Sequence, residues 1–136
     1  MDISESALAA ARARLGSRAD RVNWIVADAR ELRLGRPVDL WHDRAVFHFL
    51  TEPADQEAYL ERLRESLRPG AHAVIATFAP QGPERCSGLR VERYDADKLS
   101  RRLGRELVLL RSLVKMHTTP RGAEQPFTYG LFRRGL

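Results

Sequence analysis

Apolar positions along the chain switch repeatedly between a helical and a strand-like rhythm. Leu8, Ala11 and Leu15 recur at helical spacing, with Ser4 placed to cap that helix, Glu5 at its positive end and Gly16 as its stop. Residues 22–27 form a short β-rich run that closes at Asp28, and residues 29–37, with Gly35 and Pro37, read as a loop. A second strand is expected over residues 38–42, closing at Asp43, followed by a short helix or buried turn over 44–50. Thr51 and Pro53 mark a helix start, Tyr59, Leu63 and Leu67 make its apolar stripe, and Arg68-Pro69-Gly70 ends it. Residues 71–78 are almost continuously apolar, as in a strand buried on both faces. The Pro- and Gly-containing stretch 79–93 predicts a long loop, Asp95 a cap for a helix ending at Gly104, and residues 106–116 and 127–133 two final strands.

The order helix, strand, strand, helix, strand, helix, strand, strand predicts one α/β domain over residues 1–136. It implies three layers around a mostly parallel sheet. The last two strands have no helix between them and are expected to pair antiparallel.

Composition narrows the classes. The chain is 43% hydrophobic and 30% charged, a globular balance, and no apolar run approaches the roughly 20 residues of a membrane span. Its single cysteine, Cys86, excludes an internal disulfide framework and points to a reducing cytoplasm. The formal net charge is +5. Arg12, Arg14 and Arg18 fall along one helix and Arg62, Arg64 and Arg68 along another, so the charge reads as solvated helix faces. No aromatics alternate with them as a base-stacking platform would require, and nucleic acid is not the expected partner.

The strings Met1-Asp2-Ile3-Ser4, Trp24-Ile25-Val26-Ala27-Asp28, Val38-Asp39-Leu40-Trp41-His42-Asp43 and Leu67-Arg68-Pro69-Gly70-Ala71-His72 occur in an order and spacing that resembles the class I S-adenosylmethionine-dependent methyltransferases. The resemblance implies a Rossmann-like fold and covers nearly the whole chain. It places Asp2 at the acid that takes the cofactor's ribose hydroxyls and Asp28 at the acid beside the adenine. It also puts residues 38–43 at the strand facing the transferred methyl. One element departs from it: no two of the nine glycines sit two apart, so the family's GxGxG turn is missing. The chain reads as an N-terminally truncated member that begins inside the family's second strand. In the family's sheet order, 3-2-1-4-5-7-6, such a truncation leaves unpaired strand edges, and a homodimer through those edges is expected.

The densest polar cluster is Asp39, Trp41, His42, Asp43, Arg44 and His48. Strand alternation puts Asp39, Trp41 and Asp43 on one face and His42 on the other. Asp43 and Arg44 fall at the strand's carboxyl end, where open α/β sheets hold ligands. Methyl transfer to a small-molecule acceptor needs chiefly positioning, and His42, Asp43 or His48 is of a type to deprotonate that acceptor. The structural alternative makes Asp43 a turn cap and His48 a packing residue. A second functional reading takes His42, Asp43 and His48 as ligands of a divalent ion such as zinc or manganese, serving a hydrolase of phosphoesters or esters in the same cleft. A third makes the chain a non-catalytic dimerisation module. Cys86 is expected in a lid or acceptor-binding loop, His72 and His117 in packing or surface roles, and Trp24 and Trp41 in the core or a pocket wall.

Overall fold

A computed structural model describes residues 1–136. The elements are α1 (Glu5–Leu15), a 3-10 segment (Gly16–Arg21), β1 (Val38–Arg44), a 3-10 turn (Phe47–Phe49), α2 (Pro53–Ser66) and β2 (Leu67–Phe78). After β2 come a small hairpin of β3 (Arg85–Cys86) and β4 (Leu89–Arg90), then α3 (Ala96–Leu103), β5 (Leu107–Thr118) and β6 (Glu124–Arg134). Local signals set most of these bounds. The Ser4 hydroxyl accepts the Ala7 N–H at α1, and the Asp95 carboxylate accepts the Lys98 N–H at α3. Gly104, with φ 83°, turns the chain out of α3 in a backbone region that suits glycine.

The main sheet has the order β1-β2-β6-β5. β1 pairs parallel with β2, whereas β2 with β6 and β6 with β5 are antiparallel. The sheet is therefore mixed, not mostly parallel as the alternating pattern predicts. The expected strand at 22–27 contributes only one parallel bridge, Asp2 to Val26, because the sheet offers that segment no longer partner.

Helices α2 and α3 lie on the same face of the sheet. Tyr59, Leu60 and Leu63 of α2 and Leu99 and Leu103 of α3 join Trp41, Ala73, Ile75, Leu107 and Phe132 in the principal core. On this face Gly130 makes room for the Phe132 ring, which a Cβ at that position would strike. The other face carries only a smaller cluster, Ala76, Phe78, Val91 and Phe127, under the 79–93 loop. No residue of α1 is buried, so the expected third layer is not closed over the sheet. The outer edge of β1 is likewise unpaired. No helix is long and apolar enough to cross a membrane.

Candidate active site

Between the segment around Asp2 and Ile25 and the free edge of β1 lies a cleft of about 430 Å³. Its walls are mainly apolar, formed by Ile25, Leu32 and Leu34 together with Val38, Leu40 and Trp41 of β1 and Val46 just after it. The polar groups reaching it are Asp2, His42, Asp43, Arg44 and Tyr59. Its volume lies within the range of small-molecule sites.

Asp43 stands at the carboxyl end of β1 and is 4% exposed. One carboxylate oxygen accepts the Val46 N–H at 2.9 Å, and the other accepts the Phe47 N–H at 3.0 Å and the Tyr59 hydroxyl at 2.6 Å. The Tyr59 oxygen accepts in turn from the Trp41 indole N–H at 2.9 Å. Burial pushes the Asp43 carboxyl above its ordinary range, against the opposing pull of these donors and of His42. The same burial, with Asp43 alongside, holds the Tyr59 phenol well above its usual value. Immediately before the two N–H donors sits Ala45, with φ 66°, a left-handed backbone that a non-glycine residue adopts at some cost. The Asp43 carboxylate thus fastens a strained turn at the mouth of the cleft. Tyr59 reads in sequence only as one member of an apolar stripe. The overlooked signal is its hydroxyl, since a buried tyrosine requires a polar partner.

Strand alternation sends Asp43 to the helix-covered face and His42 and Arg44 to the other, as expected. The Arg44 guanidinium lies over the Phe127 ring, 4.6 Å from its centroid, and its Nε–H donates to the Tyr129 hydroxyl at 3.2 Å. His48 does not line the cleft. It is fully buried among Phe49, Phe78 and Phe127, with Nδ1 accepting the Phe78 N–H at 3.2 Å. Its Nε2 has no partner, and burial lowers its pKa to about 4.

The trio His42, Asp43 and His48 is therefore not assembled, because β1 sends the first two to opposite faces and the turn buries the third. No group of three or more His, Cys, Asp and Glu side chains gathers anywhere in the chain. The zinc or manganese reading finds no ligand set.

The two expected cofactor acids differ. Asp2 borders the cleft, with one carboxylate oxygen accepting the Ser4 N–H at 2.9 Å. Asp28 is not among the cleft residues. Both its oxygens take hydrogen bonds from Arg30, whose guanidinium also reaches Asp55 on α2 at 2.6 Å. Those bonds keep the Asp28 carboxyl below its usual range. Cys86 lies half-buried in the β3–β4 hairpin against the smaller cluster. Asp39 pairs with Arg68, and Trp24 donates its indole N–H to the Ala19 carbonyl at 3.1 Å. His72 lies half-buried on β2 and His117 half-buried on β5.

An α/β sheet whose ligand-sized cleft opens at the carboxyl end of a parallel edge strand has the architecture of the open-sheet cofactor-binding proteins. Residues 1–73 match the methyltransferase domain family, and the chain belongs to it.

The solved structures that resemble the chain share its fold at low identity. The N-methyltransferase NodS from Bradyrhizobium japonicum, in complex with S-adenosyl-L-homocysteine, superposes with a TM-score of 0.71 at 15% identity, over 98% of this chain and 64% of its own. The 1,6-didemethyltoxoflavin-N1-methyltransferase of Burkholderia thailandensis gives 0.68 at 20% identity, over 94% of this chain and 56% of its own. A S-adenosylmethionine-dependent methyltransferase from Clostridium acetobutylicum gives 0.70 at 11%, over 98% and 73%. The chain thus spans less than two thirds of the length of NodS and of the Burkholderia enzyme. No curated protein matches it.

Proposed function

We propose that the chain is the acceptor-side part of a S-adenosylmethionine-dependent methyltransferase unit for small molecules, with the nucleoside of the cofactor in the cleft beside β1. The observation that carries this reading is the cleft itself, apolar along its walls and bordered by Asp2 at one side and Asp43 at the other. The free carboxylate oxygen of Asp2 suits a ribose hydroxyl, and the walls at Ile25, Leu32 and Leu34 suit a purine. The fit stops at the nucleoside. Asp28 is spoken for by Arg30, and no Gly-x-Gly-x-Gly turn is present to receive an amino-acid end.

When bound, the cofactor supplies an activated methyl group. The chain's own contribution is positional. Asp43, held by Tyr59 and two backbone N–H groups, fixes the turn at the strand end, while His42 and Arg44 stand at the rim to orient an acceptor. The structural neighbours support the small-molecule reading, since the Burkholderia enzyme was solved with bound 1,6-didemethyltoxoflavin.

Calorimetric titration tests the proposal. Adenosine and S-adenosylhomocysteine are both expected to bind, within a few-fold of each other because nothing grips the amino-acid end. Asp2→Ala is expected to weaken both about tenfold, the scale of one lost charge-assisted hydrogen bond. Absence of heat from either compound at several hundred micromolar protein refutes the assignment.

A further inference from the structure

The face of the sheet away from α2 and α3 starts at the cleft residues Leu40, His42 and Arg44 and continues across β2, β6 and β5 with side chains that the cleft does not explain. Leu40, His42 and Arg44 of β1 lie beside His72, Val74 and Ala76 of β2. Next come Phe127, Tyr129, Leu131 and Arg133 of β6, then Arg111, Leu113 and Lys115 of β5. No Asp or Glu belongs to this set. Arg44, Arg111, Lys115 and Arg133 enter no ion pair, a state they share with most of the chain's cations, but these four stand on one sheet face that carries no carboxylate. The centre of the face is half-buried and apolar at Val74 and Leu131, and Leu40 and Leu113 are 55% and 45% exposed. A hollow of about 330 Å³ opens there, floored by Val74, Tyr129 and Leu131 and walled by Arg111 and Lys115.

We propose that this open sheet face binds single-stranded nucleic acid. The argument is charge complementarity combined with shape. Four cations without counter-ions frame a flat apolar floor with a half-exposed tyrosine at its middle. Strands ~4.8 Å apart place Arg44 on β1 and Lys115 on β5 roughly 14 Å from each other, so separate phosphates can be met across the sheet. Tyr129 offers a ring for a base, and Arg44, already stacked on Phe127, offers a guanidinium plane. A duplex is too wide and too stiff to lay its bases on such a floor. The arginines of α1 are also unpaired, yet they line a helix with no buried residue and no aromatic floor. They supply the control. The proposal does not depend on cofactor binding in the cleft.

The test is fluorescence anisotropy of a labelled twelve-nucleotide oligothymidylate with the full chain at several salt concentrations. Saturable binding is expected, with log K falling against log salt at a slope of about −3, four phosphates at roughly −0.7 each. Arg111→Gln with Lys115→Gln, both exposed and outside the cleft, should halve that slope and weaken binding roughly tenfold at low salt. Arg12→Gln with Arg14→Gln should leave the slope unchanged. Circular dichroism melts check that each variant is folded. The proposal is overturned by any of four results: no saturation at tens of micromolar protein, equal losses from the two double variants, tighter binding of a duplex of the same length, or equal displacement by polyglutamate. The last would assign the face to acidic peptides.

Discussion

Replacing Tyr59 by phenylalanine removes one oxygen from the chain of groups that holds the β1 turn, and its cost can be worked out group by group. The hydroxyl donates to the Asp43 carboxylate at 2.6 Å and accepts from the Trp41 indole at 2.9 Å, all inside the core. A hydrogen bond to a charged group contributes about 1.5–3 kcal/mol, and a buried donor left without a partner costs about 1–3 kcal/mol. With Asp43 ionised, Tyr59→Phe should therefore destabilise the fold by about 4 kcal/mol, a large share of a typical 5–15 kcal/mol. The effect depends on pH, and its sign is fixed by Asp43. Because burial raises its folded pKa, this group favours folding below its ordinary value, and the advantage is lost as pH rises through the folded value. Tyr59 stabilises the ionised form, so its removal hurts most where Asp43 is charged. Where Asp43 is protonated, the lost bond is of the neutral kind, worth about 1 kcal/mol. Urea denaturation of both proteins should thus give a difference of about 4 kcal/mol where Asp43 is ionised, falling to about 3 kcal/mol as acid protonates it. Other titrating groups cancel in that comparison. A difference below about 0.5 kcal/mol, or one that grows towards acid, refutes the assignment of Tyr59 as the group that holds Asp43.

Other consequences follow from single groups. His48, neutral and buried with a pKa lowered to about 4, contributes stability that is present above pH 6.5 and lost as pH falls towards 4. His48→Leu should flatten the stability profile across that window, by up to about 3 kcal/mol, as read by denaturation at stepped pH. Arg30→Ala frees Asp28, whose pKa should return towards its ordinary value in carboxyl NMR; because Arg30 is partly exposed, the stability loss should stay near 1 kcal/mol. We also propose self-association through strand edges. β5 is an outer strand with Val114 65% and Met116 51% exposed, so Val114→Lys should lower the weight-average mass in sedimentation at micromolar concentration. A wild-type chain that sediments as a monomer throughout that range counters it.

Much of the fold is legible in the sequence because its signals are local. The Ser4 and Asp95 caps, the stops at Gly16 and Gly104 and the apolar run of residues 71–78 all act within a few residues, and each element stands close to where its signal places it. The expected strand at 22–27 fails for a non-local reason. Its residues have β-forming side chains, but strand formation requires a partner edge, and only Asp2 supplies one bridge. Sheet direction is legible in part: the last two strands pair antiparallel, as the lack of a helix between them implies, whereas the alternating order alone does not show that β6 inserts between β2 and β5 and makes two of the three pairings antiparallel.

The site divides along the same line. Alternation along β1 separates Asp43 from His42 without any structural knowledge, and that separation alone disfavours a metal shared by both. What the sequence hides is depth and partnership. His48 reads in sequence either as a base or as a packing residue, and the turn buries it under three phenylalanine rings. Asp28 looks free, but an arginine two residues away closes over it. β1 shows why these facts matter together. Its inward residues, Trp41 and Asp43, are fixed by Tyr59 beside the cleft, while its outward residues, His42 and Arg44, begin the unpaired cationic face. A substitution on one side of this strand should therefore leave the chemistry of the other intact. Tyr59→Phe is expected to change the pH response of folding without changing the salt slope of oligonucleotide binding. Arg111→Gln with Lys115→Gln should do the reverse. If both variants shift both measurements, the strand does not insulate its two faces, and the division of roles drawn from its alternation is wrong.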